Sequence, residues 1–429
     1  MAYSAERLTK IREFRRAVKD RILESDDPGL VDLAYQGSGD VVHDIATEID
    51  LSDEGGVCLL TGQSGTGKST ALKRLKRRLE ESGAMVFYID LSLVLLMDKR
   101  IEISDFLVGV AGALSDQVEL NFGSSPGSVG YWDRIKTFLL TEVEFKELGA
   151  TFAGLSIKTA LKENVDFRQR MQAATRSHIP TLVKELHKFV AECVDHVRAV
   201  RRDDCIKVVL LVDSVERIRG SRGEEMAVYE SVRDLFLHYA NHLIIPRLHV
   251  VYTVPPYLGM LAPGAVSSLG ATLIRRLFSV RVWSKEPNRA PDPSGLRSMR
   301  AMLEARFQGW SEIFEPTAIN ALALSSGGDL RQFLRLINTC LVAAARDSIP
   351  WPMTVVAIRP IQFAISNEMA QFPLEHLDWL QQIKRSNRHC LNRESDLPTL
   401  AHFLDNQLVL TYRNGQDWYD IHPLLRDFV

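Results

Sequence analysis

The stretch GQSGTGKST, residues 62–70, decides the fold of this chain, because three glycines there lead into the pair Lys68-Ser69. The apolar run VCLLT at 57–61 comes before it and predicts a buried strand. A segment rich in Lys, Arg and Leu at 68–82 comes after it and predicts a helix. A strand before a glycine-rich turn and a helix after it are the structural context that supports a phosphate-binding motif.

The spacing Gly62-x-x-x-x-Gly67-Lys68-Ser69 is that of a phosphate-binding P-loop. Glycines allow backbone N–H groups to wrap phosphates, and the helix N-terminus adds a favourable dipole. Lys68 would supply positive charge to the β- and γ-phosphates, and Ser69 a hydroxyl to Mg²⁺. We therefore expect ATP and Mg²⁺ as ligands. The residues predicted to bind nucleotide are Gly62, Gln63, Ser64, Gly65, Thr66, Gly67, Lys68, Ser69 and Thr70.

A second acidic position is predicted at Asp213, which ends the apolar run IKVVLLV at 206–212. An acid at the end of a neighbouring strand holds Mg²⁺ in such sites, directly or through water. Many P-loop enzymes have a water-polarising Glu directly after this Asp, but here that position is Ser214. Glu216 is the nearest carboxylate, and two interpretations stay open: it polarises water, or it pairs with Arg217 or Arg219.

Strand and helix signals alternate up to residue 284, which predicts a parallel sheet with helices on both faces. The remaining strands are predicted at 85–91, 248–254 and 278–284, and the helices at 3–24, 103–120, 166–201, 223–241 and 269–277. A proline-rich linker at 285–297 precedes helices at 296–308, 315–325, 329–346 and 354–371. Helices at 374–384 and 396–406, then strands at 408–412 and 417–421 around Asn414-Gly415, indicate a winged helix.

Three further segments carry a family resemblance: LHVVYTVPP with Thr253, LGATLIRRLFSVRVW with Arg275 and Arg276, and SSGGDLRQFLRLI with Arg331. In this order after the P-loop, they resemble the AAA+ ATPases. The branch of origin-recognition replication initiators and related transposon-encoded ATPases is the most similar. The resemblance spans roughly residues 46–429. It implies an α/β P-loop NTPase core of the AAA+ type with a helical lid and a C-terminal winged-helix domain.

The same resemblance implies roles for these polar residues. Thr253 would take the sensor-1 position, and Arg331 would be sensor 2, reaching from the lid to the γ-phosphate. Arg275 or Arg276, at a predicted helix end, would act as an arginine finger on a neighbouring subunit's nucleotide. The alternative is that this pair is a solvated helix end stabilised by the helix dipole.

Four domains are predicted. They are an N-terminal helical extension at 1–45, a P-loop core at 46–285, a helical lid at 286–372 and a winged helix at 373–429. The core contains a long, mostly helical insertion at 121–206, beginning with the loop sequence NFGSSPGSVG. Such an insertion indicates a family-specific surface for a protein partner.

Composition limits the classes of function. The net charge of −2 excludes a general basic field for nucleic acid, and acids outnumber bases within 373–429. A winged helix that contacts protein is thus favoured, and DNA contact through residues 1–21 and 73–78 stays open. Five scattered cysteines indicate reduced thiols, and no signal peptide or membrane span is evident. A cytoplasmic protein is expected.

These features predict a switch and assembly ATPase, a homo-oligomer with nucleotide at its subunit interfaces. ATP binding, with slow hydrolysis, would control assembly and partner engagement, in antiviral defence or a mobile-element system. Two alternatives stay open: a DNA-binding initiator or loader, and a STAND-type signalling NTPase or scaffold that holds nucleotide without turnover.

Overall fold

The computed structural model describes residues 5–31, 39–123, 131–141, 161–220, 223–261, 264–271, 273–286, 288–391 and 393–429. The segments 124–130 and 142–160 of the predicted insertion lie outside the described residues, as does most of its predicted opening loop. Within the described part of the chain, no helix is both long enough and apolar enough to span a membrane.

The helices lie in chain order at α1 (Ala5–Ala17), α2 (Val41–Asp50), α3 (Lys68–Glu81), α4 (Ile103–Phe122), α5 (Tyr131–Thr141), α6 (Val165–Thr175), α7 (Ile179–Arg201), α8 (Glu225–Leu237), α9 (Ala240–Leu243), α10 (Leu258–Leu261), α11 (Ala265–Ser268), α12 (Pro293–Arg306), α13 (Pro316–Ser325), α14 (Leu330–Asp347), α15 (Val355–Met369), α16 (Leu377–Ser386) and α17 (Leu397–Asp405). The strands lie at β1 (Gly56–Gly62), β2 (Met85–Asp90), β3 (Val208–Asp213), β4 (His249–Val254), β5 (Ile274–Leu277), β6 (Val409–Asn414) and β7 (Gln416–Ile421).

Among the described residues, five strands form one sheet in the order β2-β3-β4-β1-β5, and β6 and β7 form a separate hairpin. The pairs β2–β3, β3–β4 and β1–β4 are parallel. The inner strands are buried along their whole length, which is why their sequences are continuous apolar runs. Non-consecutive neighbours in this order require helical crossovers, so the strand–helix alternation read from the sequence is confirmed.

The chain divides into two compact units that alternate along the sequence. One comprises Met1–Val41, Gly62–Lys73 and Leu277–Val429; the other comprises Val42–Thr61 and Arg74–Arg276. The second unit contains most of the sheet and a core of helices, mainly from α4, α7 and α8, packed on it. The four-domain division predicted above stays a prediction.

The first unit contains the lid (helices α12 to α15) and the winged helix (α16, α17 and the β6–β7 hairpin). Helix α1 packs into the lid core: Phe14 is fully buried, stacks on Phe307 with ring centroids 4.3 Å apart, and meets Phe314 edge-on at 6.0 Å. Asp292 caps α12 and Thr354 caps α15 by accepting backbone N–H bonds. The Asn414-Gly415 turn is confirmed, with Gly415 at φ +73°.

Two secondary-structure predictions are wrong. Residues 269–277 were expected to be helical, but the chain turns at Gly270 and forms β5 from Ile274. Residues 278–284 were expected to be a strand, but they form none. The backbone N–H of Ser279 bonds instead to the carbonyl of Thr411, and that of Val280 to the carbonyl of Gly328. The backbone N–H groups of this apolar segment are therefore bonded by strand β6 of the winged helix and by the turn before α14.

Two predicted helices are shorter than expected. The segment 166–201 is divided into α6 and α7, because Pro180 lies in the first turn of α7 and favours a new helix start there. Helix α1 ends at Ala17, whereas helix was expected to residue 24. The described parts of 121–206 are mostly helical. The predicted fold class is confirmed in its architecture: an α/β fold whose sheet leads into the P-loop, followed by helices and a C-terminal helix–helix–hairpin unit.

We predict that Phe14→Ala lowers the free energy of unfolding by about 3–5 kcal/mol, because truncation leaves a cavity between two phenylalanine rings. Chemical denaturation followed by circular dichroism measures the change. The matched control is Phe363→Ala on α15, whose side chain is 63% exposed and whose loss should cost under about 0.5 kcal/mol. Equal effects of the two substitutions would contradict the packing of α1 into the lid.

Candidate nucleotide-binding site

The P-loop leaves β1 at Gly62 and enters α3 at Lys68, as the motif predicts. Gly65 and Gly67 adopt φ +88° and +90°, in the left-handed region that favours glycine. A Cβ on Gly65 would also lie 2.6 Å from a carboxylate oxygen of Asp329. Glycine is therefore required at residue 65 by both backbone geometry and space.

Lys68 is buried and its ammonium group points back into the loop. Its Nζ donates to the carbonyls of Gly62 at 2.8 Å and Gln63 at 3.0 Å. The hydroxyl of Thr66 donates to the same Gln63 carbonyl at 2.8 Å. These bonds hold a concentrated positive charge against loop carbonyls, a position from which a bound anion would draw it.

The remaining P-loop hydroxyls lie in the first turn of α3. Ser69 and Thr70 are both partly buried. Thr70 Oγ1 accepts the backbone N–H of Leu23 at 3.4 Å, and Lys73 pairs with Glu24 at 3.1 Å. The segment after α1 is therefore tied to the start of α3.

Arg331 is brought to the P-loop from the first turn of α14. Its Nη1 donates to Ser64 Oγ at 2.6 Å, and its Nε pairs with Asp20 Oδ2 at 2.7 Å. The predicted sensor-2 residue and the predicted phosphate loop thus share one site. Asp20, which the sequence analysis did not single out, occupies one edge of the guanidinium.

Asp329 is the fully buried N-cap of α14 and lies against Gly65. Its carboxylate accepts the backbone N–H of Gln332 at 2.7 Å and the side-chain amide of Gln407 at 2.9 Å. Burial raises the pKa of Asp329 to about 6, because lost hydration outweighs these bonds and the nearby Arg331 charge. Asp329 therefore binds a proton more readily in the folded protein than in the unfolded chain.

In the second unit, Asp213 ends β3 as predicted and is almost fully buried. It accepts the Tyr88 hydroxyl at 2.5 Å and the backbone N–H of Ser214 at 2.7 Å. Burial and the adjacent carboxylate raise the pKa of Tyr88 well above its ordinary 10, so the phenol remains a donor. Tyr88 is a partner of Asp213 that the sequence analysis missed.

The residues after Asp213 make a sharp turn. Ser214 adopts φ +73°, a conformation that costs a non-glycine residue on the order of 1 kcal/mol, and Glu216 is buried in the following 3₁₀ turn. Thr253 is fully buried near the end of β4, where its hydroxyl donates to the Val212 carbonyl at 3.3 Å and accepts the N–H of Val215 at 3.2 Å. The Thr253 hydroxyl therefore holds the backbone on both sides of the Asp213–Ser214 turn, at the carboxyl ends of two paired strands.

Arg275 and Arg276 lie on strand β5. The prediction that they end a helix is wrong. The helix-dipole alternative is therefore wrong as well. Arg275 pairs with Asp44 at 3.4 Å and Glu48 at 3.2 Å, both on α2, and Arg276 donates to the Pro256 carbonyl at 3.4 Å. The misassigned helix at 269–277 is the source of the error.

Two further site residues had at most weak sequence signals. Asp329 starts the pattern Asp-Leu-Arg-Gln before an apolar helix, which is typical of an N-cap and could have indicated its position. Gln407 lies outside every motif, and its contact with the loop depends on how the winged helix packs. No periodicity or spacing encodes such a contact.

Comparison with known proteins yields structural neighbours only. No protein-family model matches the chain, and no curated protein matches it. Solved structures of archaeal replication-initiation proteins are similar to it. The Aeropyrum pernix ORC2 protein (ADPNP-ADP complexes) has a TM-score of 0.42 at 12% identity and covers 95% of this chain and 93% of its own.

Two more neighbours belong to the same group. The Aeropyrum pernix ORC1 protein in complex with DNA has a TM-score of 0.39 at 13% identity, covering 96% of both chains. Cdc6p from Pyrobaculum aerophilum has a TM-score of 0.41 at 14% identity, covering 95% of this chain and 94% of its own. Identities this low concern the fold alone, so these neighbours do not indicate the chemistry of the site in this chain.

We predict that Asp329→Asn flattens the pH dependence of stability between about pH 4 and 6. The folded-state pKa of about 6 exceeds the reference 3.8, so the stability from this group is complete below pH 4 and is lost as pH rises through 6. The pH-dependent loss of unfolding free energy that the substitution removes is about 3 kcal/mol. Urea denaturation at a series of pH values measures it.

The matched control for that experiment is Asp378→Asn, because Asp378 is an exposed carboxylate of α16. The control should retain the wild-type pH dependence. An unchanged slope in Asp329→Asn would mean that this carboxyl is ionised in the folded protein at pH 5.

Proposed function

We propose that this protein binds ATP with Mg²⁺ and uses that binding to switch its own assembly and its engagement of a partner. One observation carries the proposal: the glycine-rich loop between β1 and α3 is contacted at Ser64 by Arg331 of the lid. Because the lid arginine already bonds to a hydroxyl of the phosphate loop, it lies where it could respond to the terminal phosphate of a bound nucleotide.

The loop residues divide the work of binding phosphates. Backbone N–H groups of 62–70 and the N-terminus of α3 provide donors and a favourable dipole. Lys68 would transfer its ammonium group from the two carbonyls to the β- and γ-phosphates. Arg331 would exchange Ser64 and Asp20 for the γ-phosphate, because a guanidinium bonds a phosphate more strongly than a neutral hydroxyl.

The side chains proposed for Mg²⁺ fit a hard cation. Ser69 offers a hydroxyl and Asp213 a carboxylate, and oxygen ligands of these two kinds are what Mg²⁺ prefers. Among the described residues, no group of three or more His, Cys, Asp or Glu side chains is placed to hold a metal. Phosphate and water oxygens would complete the shell, as is usual for Mg²⁺. The ion would neutralise phosphate charge.

Hydrolysis would be slow in this proposal. Ser214 carries no carboxylate at the position where the water-polarising group usually lies, so we assign that role to Glu216. Its burial beside the Asp213 turn is compatible with a water-orienting carboxylate. Thr253 would position this turn through its bonds to Val212 and Val215.

Assembly would bring an arginine from a neighbouring subunit to the nucleotide. The arginine would be Arg275, which two carboxylates of α2 hold, or Arg276, which donates to the Pro256 carbonyl. A guanidinium supplied in trans stabilises charge on the transferring phosphoryl group, and this would link turnover to a homo-oligomer.

The winged helix and the helical segment around α5 to α7 are proposed to contact protein rather than DNA. The second helix of a helix-turn-helix unit normally reads the groove, but α17 contains no Lys or Arg. Arg413 at the hairpin pairs with Asp417, and Lys384 donates to the Arg426 carbonyl. These two cations are therefore engaged within the domain, which reduces its attraction for phosphates.

The basic stripe of α3 is similarly engaged. Lys76 pairs with Glu80, and Arg77 pairs with Glu81 one turn later. In α1, Lys10 pairs with Glu312 of the lid. These pairs weaken the case for a DNA-binding initiator built on residues 1–21 and 73–78.

We predict that Lys68→Ala lowers the affinity for Mg·ATP by about 100-fold, since the buried ammonium is the concentrated charge of the loop. Isothermal titration calorimetry measures the affinity, and mass photometry with and without ATP measures assembly. The control is Lys76→Ala on the outer face of α3, which should bind and assemble as wild type. An ATP-bound wild-type monomer would refute the assembly role.

We predict that Glu216→Gln lowers steady-state phosphate release by about 100-fold while leaving ATP affinity within about threefold, as expected for loss of a general base. Asp213→Asn should lower both activity and the dependence on Mg²⁺. The matched control is Glu230→Gln, an exposed carboxylate of α8. Wild-type turnover in Glu216→Gln would place the water-polarising group elsewhere, and no turnover in wild type would favour a scaffold that only holds nucleotide.

A further inference from the structure

The side chain of Gln63, the second residue of the P-loop, points into the winged helix. It is 1% exposed. Its Nε2 donates to the carbonyls of Leu404 at 3.1 Å and Val409 at 2.6 Å. Its Oε1 accepts the backbone N–H of Thr411 at 2.7 Å and the hydroxyl of Thr411 at 3.0 Å. Both donors and both acceptor positions of this amide are used.

A second side-chain amide also joins the phosphate loop and the winged helix, but it belongs to the winged helix and bonds to the loop. Gln407 precedes β6 and adopts φ +57°, and its Nε2 donates to the carbonyl of Ser64 at 2.7 Å and to Asp329 at 2.9 Å. Residues 63 and 64 are thus held by the winged helix through one side chain from each partner. A P-loop binds phosphates through backbone N–H groups and its lysine, so neither amide is needed for that task.

Phosphate binding competes with the bonds that hold residues 63 and 64. The Gln63 carbonyl accepts Lys68 and Thr66, and the Ser64 hydroxyl accepts Arg331. Lys68 and Arg331 are the two cations that a triphosphate would draw away. The Gln63 carbonyl and the Ser64 hydroxyl would then lose partners at the same residues that also bond to the winged helix.

We propose that Gln63 and Gln407 form a latch that holds the winged helix on the phosphate loop, and that nucleotide binding releases it. We call these two side chains and their partners the amide latch. The inference rests on the proposed nucleotide binding and names the element that such binding would move. Released, β6 would present the backbone of Thr411 and Val409 to water or to a protein partner.

The buried polar groups explain why the latch has two states. An amide with four bonds favours the closed arrangement strongly, but a partial displacement would leave buried donors and acceptors without partners. The winged helix is therefore expected to be either fully engaged or fully released. Such bistability is required of an element that reports nucleotide occupancy.

Hydrogen–deuterium exchange tests the latch, because the Thr411 N–H donates directly to Gln63. In the full-length nucleotide-free protein, Gln63→Leu should raise exchange in the 408–421 peptide at least about tenfold. The control is Gln382→Leu, an exposed glutamine of α16, which should leave that peptide unchanged. Wild-type exchange in Gln63→Leu would overturn the proposal.

The coupling to nucleotide is tested in the wild type with saturating Mg·ATPγS. Exchange in the 408–421 peptide should rise about tenfold, and Lys68→Ala should show no such rise. Binding seen by calorimetry without a change in this peptide would overturn the release step while leaving nucleotide binding intact. Absence of binding would refute the proposed function and with it the release step, and the nucleotide-free comparison would still decide whether the latch exists.

Gln407→Ala provides a second route if Gln63→Leu loses its cooperative thermal unfolding transition. The Gln407 amide bonds to Ser64 of the loop and to Asp329 of the lid. Its removal therefore leaves the apolar core of the winged helix intact. The expected result is a smaller rise, about threefold, in the same peptide. No rise would overturn the proposal.

Discussion

The parallel pairing of β1 with β4 determines where the chain leaves the sheet, and the site depends on that point. The register places Thr61 opposite Val254, and the Thr61 hydroxyl donates to the Val254 carbonyl at 2.8 Å. The next residue is Gly62, where the P-loop begins. Because the strands are parallel, Asp213 and Thr253 end at the same edge of the sheet, where ligands of open α/β folds bind.

Much of this architecture could be predicted from local sequence signals. Buried inner strands show as apolar runs, and the P-loop, Asp213 and the Asn414-Gly415 hairpin each occupy a few adjacent residues. The segment around Arg275 failed, because a short run of mixed residues satisfies helix and strand patterns equally. The prediction for residues 278–284 failed for a different reason: their composition is that of a strand, but their backbone partners are Thr411 of β6 and Gly328 before α14, both distant in sequence.

The polar partners of the site were beyond sequence reasoning. Tyr88, Asp20 and Gln407 are ordinary residues in ordinary local contexts, and each acquires its role only when another segment packs against it. Gln63 is the clearest case, since its position in the motif predicts nucleotide contact whereas its side chain contacts the winged helix. A motif identifies the chemistry of the backbone more reliably than the direction of a side chain.

The interleaving of the two units has a consequence for biosynthesis. The loop at 62–70 emerges from the ribosome long before its amide partners at 404–411 are made. The same holds for Phe14, whose ring partners follow the whole of the sheet-forming segment. During synthesis the phosphate loop would be exposed without the winged helix, so a nascent chain could bind nucleotide before its regulator exists.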